Sequence, residues 1–283
     1  MDLNAVRNHR FAPVEHTYTA RDTMLYALGL GYGSAPLDAE QLKFVYEEGL
    51  VAVPSMINVL AHPGFWAKDP KFGIDWVKLL HGEQSFELRR PLPPEGCVRG
   101  EYSIDAVEDM GEDRGAKLYQ TKKLYDAATG DLIGTVLTTL FMRGDGGQGG
   151  FGDIPAQPEP LPDAAPDEVI EIPTLPQQAL IYRLSGDYNP IHADPAPAKK
   201  AGFHAPILHG LCSLGIATRA ILMACADNDP ARLKSLSLRF SRPVFPGETL
   251  AVEIFRTGDT IRFRCLIPER DVVVLDRGRA EVS

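Results

Sequence analysis

The sequence predicts an α+β fold made by duplicating one unit, and three observations carry that reading. A helix-rich opening is followed by a block of short β-prone runs, and the same order then recurs. Leu180-Ile181-Tyr182-Arg183-Leu184 repeats the spacing of Met24-Leu25-Tyr26-Ala27-Leu28, and Arg242-Pro243-Val244-Phe245-Pro246 repeats Arg90-Pro91-Leu92-Pro93-Pro94. Between the two series lies a stretch rich in Gly, Pro and Asp with few hydrophobics, which reads as an exposed linker. The expected division is 1–143, a linker over 144–167, and 168–283.

In chain order, Thr17-Tyr18-Thr19 leads into a predicted helix from Ala20 to about Leu28, ended by glycines at 29, 31 and 33. Val51 to Leu60, interrupted by Pro54, and Gly73 to Leu80 form a second apolar stretch, read as the buried helix of this half. Strands are expected at Ser85–Leu88, Val98–Ala106, Ala116–Asp126 and Leu132–Phe141, with a hairpin-type turn over 126–131. After the linker, a long apolar run from Leu211 to Ala226 reads as a buried helix starting near Gly210. Further strands follow at Lys234–Phe240, Thr249–Thr257, Thr260–Pro268 and Val272–Val282.

Composition narrows the function. The 283 residues carry a net charge of -9, which argues against a nucleic-acid or anionic-membrane binder, since either needs basic patches. His209 and Arg219 interrupt the longest apolar run, so no membrane span is expected. The start, Met-Asp-Leu-Asn-Ala-Val-Arg, lacks the apolar core of a signal peptide, and the final Ala-Glu-Val-Ser is not a Ser-Lys-Leu address; cytoplasmic residence is the expectation. Cys97, Cys212, Cys225 and Cys265 show no paired or metal-ligand spacing, so neither disulfides nor a metal site is expected.

The chemistry concentrates between Leu184 and Gly215. Asp187, Asn189 and His192 are crowded between Gly186 and the turn-forming Pro190 and Pro195, which puts an acid, an amide and an imidazole on one constrained loop. Such a loop can hold a water between two proton-handling groups. Pro206 and His209-Gly210 then precede the buried helix. A helix start exposes unpaired N–H groups and partial positive charge, and glycine lets a ligand oxygen approach, as in an oxyanion hole.

Ser-Gly-Asp-Tyr-Asn-Pro-Ile-His followed by Pro-Ile-Leu-His-Gly resembles the motif of the (R)-specific enoyl-CoA hydratases, or hydratase 2 enzymes, within the MaoC-like dehydratases. The resemblance implies two tandem hot-dog domains, each an antiparallel sheet around a helix, paired as a dimer within one polypeptide. It also implies that Asp187 and His192 activate water, that Asn189 orients the water or the aspartate, and that the Gly210 N–H holds the thioester oxygen. The substrate would be an acyl-CoA thioester and the product an (R)-3-hydroxyacyl-CoA, with no cofactor beyond the CoA of the substrate.

Laying the halves over one another with Tyr26 against Tyr182 puts Gly31 where Asp187 stands, and no Asn and His follow at the matching spacing. One active site per chain is expected, with the first half free to widen the acyl groove. Lys199 and Lys200 are candidates for the CoA phosphates, against a reading as solvated surface charge. His209 either touches substrate or makes a structural hydrogen bond at the helix start. His81, in a similar His-Gly pair, reads as packing or groove lining. Asp194 before Pro195 reads as a turn former, and Cys212 as core. A homodimer is possible. Two other functions stay open: a hot-dog thioesterase directing water at the carbonyl carbon, and a noncatalytic acyl-thioester-binding protein.

Overall fold

The computed structural model describes all 283 residues, and ten strands form a single antiparallel sheet. The strands are β1 (Val14–Tyr18), β2 (Leu79–Leu88), β3 (Gly96–Asp109), β4 (Ala116–Asp126), β5 (Leu132–Met142), β6 (Glu168–Pro173), β7 (Leu233–Phe240), β8 (Thr249–Thr257), β9 (Thr260–Ile267) and β10 (Val272–Val282). Their order across the sheet is β1-β3-β4-β5-β2-β7-β10-β9-β8-β6. The first five and the last five run in mirror-image order, so the duplication is carried by topology as well as by spacing. The two halves join through β2 and β7, where Ser85 faces Ser237 and Phe86 faces Leu236. This is a double hot-dog arrangement in one chain.

The helices are α1 (Leu3–Asn8), α2 (Ala20–Leu28), α3 (Ala39–Leu42), α4 (Gln178–Tyr182), α5 (Pro195–Lys200) and α6 (Gly210–Cys225). A helix that is apolar on all sides must be enclosed, and every residue of α6 from Cys212 to Leu222 is buried. Arg219, which interrupts the apolar run, donates to the Leu30 carbonyl, Ser34 Oγ and Gln41 Oε1 and lies 4.9 Å from the Tyr32 ring centre. Its charge is therefore satisfied by neutral groups of the first half. The equivalent tyrosines meet near the junction, with Tyr26 and Tyr182 fully buried and their ring centres 5.7 Å apart.

The first half differs from expectation where its own buried helix was predicted. Residues 51–60 and 73–80 form no long helix; short 3₁₀ turns span Pro54–Asn58, Trp66–Lys68, Pro70–Phe72 and Trp76–Lys78, and β2 begins at Leu79. Prolines at 54, 63 and 70 remove donors and clash with a preceding turn, which prevents a continuous helix. The Pro54–Asn58 turn packs on α6. The chain just beyond it lies close to the sheet: a Cβ at Gly100 would stand 2.9 Å from the Ala61 Cβ, so only glycine admits the segment there.

Three side chains fasten this segment. Lys122 of β4, buried and without a carboxylate partner, donates to the carbonyls of Ile57, Asn58 and Leu60 at 2.6, 3.1 and 2.8 Å. Tyr102 donates to the Ala61 carbonyl, and His16 accepts from the Ala61 N–H. On the outer face of the sheet, Arg262 and Arg277 donate to main-chain carbonyls of Glu159, Pro160 and Pro158 and so fix the otherwise exposed 152–165 stretch.

Removing the amine of Lys122 strands three buried carbonyls. Lys122→Met should lower unfolding stability by about 2 kcal/mol or more, read as a lower urea midpoint at unchanged slope. An unaltered midpoint would show that the carbonyls find other donors and that Lys122 does not fasten the segment.

Candidate active site

The acid–imidazole loop is built by local hydrogen bonds. Gly186, at φ 117°, ends the turn over Arg183–Ser185 in a conformation that disfavours any side chain, and so reverses the chain into Asp187. Asp187 Oδ1 accepts from the Asn189 main-chain N–H at 3.1 Å. Asn189 Oδ1 accepts from the Ile191 N–H at 3.3 Å and caps a 3₁₀ turn over Pro190–His192. Asp194 then caps α5 by accepting from the Ala196 N–H. Asn189 thus orients the aspartate with its backbone, while its side chain holds the turn that presents His192.

Two carbonyls assign the histidine tautomers. His192, nine-tenths buried, places Nδ1 2.8 Å from the Ile207 carbonyl oxygen. A carbonyl only accepts, so Nδ1 carries the hydrogen and Nε2 is a bare acceptor. That Nε2 lies 4.0 Å from Asp187 Oδ2, too far for a direct hydrogen bond and close enough for one oxygen to contact both. Asp187 is half exposed, so this point is open to solvent.

His209 is the N-cap residue of α6 and donates from Nε2 to the Asp187 carbonyl at 3.1 Å. It therefore ties the aspartate loop to the helix start, which favours the structural reading of this residue. Its ring stacks on His192 with centroids 3.7 Å apart and planes at 24°. Burial, then the neighbouring His192, pull His209 down to about 4. Burial likewise lowers His192, while the Ile207 carbonyl and Asp187 draw it partly back. Both imidazoles are neutral at physiological pH.

Gly210 opens α6, where no intrahelical carbonyl reaches its N–H. A Cβ here would stand 3.1 Å from Phe240 Cε1, so glycine seats the helix start directly on that ring. The structure thus brings Asp187, Asn189, His192, His209 and the start of α6 together in one cluster. Lys199 and Lys200 are apart, exposed on the last turn of α5 and in no ion pair, although α5 itself packs on the His192 turn. Cys212 is fully buried core, with its thiol pushed well up by burial.

Asp187, His192 and His209 also offer three ligand-type atoms within 4.8 Å of one another. His209 Nε2 already donates to the Asp187 carbonyl, which leaves His192 Nε2 and Asp187 Oδ2 as the acceptors that face each other. That geometry suits a hydrogen-bonded oxygen better than a cation, which needs convergent donors.

Sequence reasoning passed over Phe240, which lies against Gly210, and read its neighbour His81 as packing or groove lining. The His81 and Phe240 ring centres are 4.7 Å apart. Burial lowers His81, while Gln84 and the Asp187 carboxylate draw it partly back, so the first half reaches within range of the acid. The His81-Gly82 pair was a visible signal; the β2–β7 register that gives it meaning was not.

Residues 157–274 match the family model described as a MaoC like domain, and residues 16–144 match the MFE-2 hydratase 2 N-terminal domain. Enoyl-CoA hydratase 2, peroxisomal, of Arabidopsis thaliana is 38% identical over 283 aligned positions, covering 94% of this chain and 91% of that protein. The 3-hydroxyacyl-thioester dehydratase Y of Mycobacterium tuberculosis is 40% identical over 279 positions, covering 95% and 94%. Among solved structures, a MaoC-like dehydratase from Phytophthora capsici superimposes with a TM-score of 0.88 at 34% identity, covering 100% of this chain and 99% of that one.

The histidine pair has a pH signature. Both folded values lie below the ordinary 6.5, so the unfolded chain binds more protons as the solution is acidified. The stabilisation is complete above 6.5 and is lost as pH falls toward about 4. His209→Gln should flatten the fall of the urea midpoint between those limits. An identical slope in the variant would mean that His209 titrates normally.

Proposed function

The chain belongs to the hydratase 2 family of MaoC-like enzymes, and on that premise we propose that it adds water reversibly to a trans-2-enoyl-CoA, giving the (R)-3-hydroxyacyl-CoA. It is a hydro-lyase acting on enoyl thioesters. The observation that carries the assignment of residues is the bare His192 Nε2 facing Asp187 Oδ2 at 4.0 Å, next to the unpaired N–H groups at the start of α6.

A water held between His192 Nε2 and Asp187 Oδ2 gives up one proton to this pair as its oxygen attacks C3. The double-bond electrons move toward the thioester, and the pair returns a proton to C2. Negative charge develops on the thioester oxygen, where the Gly210 N–H and the positive end of α6 receive it. One such donor is worth about 3 kcal/mol in comparable sites. A neutral His192 matches this role, since an imidazolium has no lone pair for the water.

No metal or redox cofactor enters this scheme, and CoA comes and goes with the substrate. Residues 168–283 supply the water-activating pair, and residues 1–143 supply groove wall. Compartment is separate from chemistry: the Arabidopsis relative is named peroxisomal, the mycobacterial one is not, and cytoplasmic residence is the proposal for this chain.

Incubation with crotonyl-CoA and with a longer trans-2-enoyl-CoA should consume the conjugated enoyl-thioester absorbance without releasing free thiol. Asp187→Asn and His192→Ala should each lower kcat by about 100-fold or more. Thiol release would instead establish a thioesterase, and binding without turnover an acyl-binding protein. Asn189→Ala keeps the main-chain N–H on Asp187 and loses only the turn cap. It should cost about 1 kcal/mol of stability and lower kcat far less than either of those variants. A loss equal to that of Asp187→Asn would give the Asn189 amide a direct part in the reaction.

A further inference from the structure

The half that lacks the acid–histidine motif still sends a chain of side chains toward the oxyanion glycine. Asn58 Nδ2 lies 2.8 Å from the Ser55 carbonyl, Gln84 Nε2 lies 2.7 Å from Asn58 Oδ1, and His81 Nε2 lies 2.7 Å from Gln84 Oε1. The polarity of every link follows from the first. The Ser55 carbonyl can only accept, so the Asn58 nitrogen faces it and the Asn58 oxygen is left to accept from Gln84. The Gln84 oxygen then faces His81, whose Nε2 must carry the hydrogen. Asn58 and Gln84 are 5% and 3% exposed, so a broken link would leave a buried amide unpaired. The relay is rigid, and Lys122 anchors its far end through the Asn58 carbonyl.

The near end of the relay meets the other half of the molecule. β2 pairs with β7, whose last residue is Phe240, and the His81 ring stands edge-on to the Phe240 ring at 62°. Phe240 also neighbours Gly210, close enough that a Cβ there would stand 3.1 to 3.5 Å from Cε1, Cδ1 and Cζ. A ring packed against an imidazole and leaving no room for a side chain at residue 210 restricts where that main chain sits. Protein interiors transmit such displacements because they are packed without slack.

We propose that His81 is a positioning residue of the oxyanion site: the Asn58–Gln84 relay holds its ring against Phe240, and Phe240 seats the Gly210 N–H. The inference rests on the hydratase reading of Gly210. It gives the degenerate half a part in the reaction that does not depend on contact with substrate. An interaction that matters only once charge develops on the thioester oxygen acts on kcat and leaves KM largely unchanged.

The test is steady-state hydration of crotonyl-CoA by the full chain. His81→Ala should lower kcat by about tenfold or more with KM within about twofold, because the ring support is gone. His81→Phe keeps a ring against Phe240 and should restore kcat to within about threefold of wild type. Phe240→Leu should show the same kcat-selective loss, and the double variant His81→Ala with Phe240→Leu should lose little more than either single one. Melting midpoints identify a variant that fails to fold, in which case His81→Phe and Gln84→Met carry the comparison, Gln84→Met lowering kcat at unchanged KM.

Three results would overturn the inference alone, given an active wild type. They are kcat in His81→Ala within twofold of wild type, a KM rising in step with the loss, or His81→Phe no better than His81→Ala. An inactive wild type would overturn the hydratase reading and this inference together.

Discussion

The main-chain hydrogen bonds between β2 and β7 are the constraint on which the molecule depends. They turn two five-stranded sheets into one of ten strands and bury what would otherwise be two sheet edges. They also set the register between halves, so that Glu83 faces Arg239 and Gln84 faces Leu238. A slip of one residue would reverse which face each side chain occupies. With this register, His81 reaches Phe240 and the first half borders the site of the second.

The asymmetry of the halves follows from what each lays on the sheet. The second half places α6 there, apolar and enclosed from Cys212 to Leu222, with Gly210 at its open end. The first half places a proline-broken segment in the corresponding region, and such a segment cannot satisfy its own main chain. Lys122, Tyr102 and His16 supply the missing partners. Burying an ammonium is costly, and three carbonyl acceptors offset that cost by matching its three donors. The first half therefore lays a stapled loop where the second half lays a helix with exposed N–H groups.

Much of this was legible in the residues, for identifiable reasons. α2, β4, β8 and β10 fall at the predicted boundaries because their patterning and flanking turn residues agree. The start of α6 was marked by His209-Gly210 ahead of an apolar run, and the proximity of Asp187 to His192 by their shared loop. The segment from 51 to 80 misled because its hydrophobicity suits a buried helix equally well, and what decides against one is prolines together with contacts at Gly100 and Lys122. Asn189 shows a finer limit. Its residue type is that of a turn cap, but the group that holds Asp187 is its main-chain N–H, which every residue except proline possesses.

The neutrality of the histidine stack connects fold to chemistry. Two imidazoles 3.7 Å apart in a buried place cannot both hold a second proton, since like charges at that distance repel strongly where water is excluded. His209 spends its one N–H on the Asp187 carbonyl, and His192 spends its own on Ile207. Each ring is thereby locked in orientation by a main-chain oxygen, and the only basic nitrogen turned toward Asp187 Oδ2 is His192 Nε2. A carboxylate and a neutral imidazole sharing one oxygen-sized gap can take a proton and return it without either group rotating. Such a fixed pair suits an addition in which a proton leaves one atom of the reacting system and arrives at another. It does so beside the main-chain N–H groups at the open start of α6.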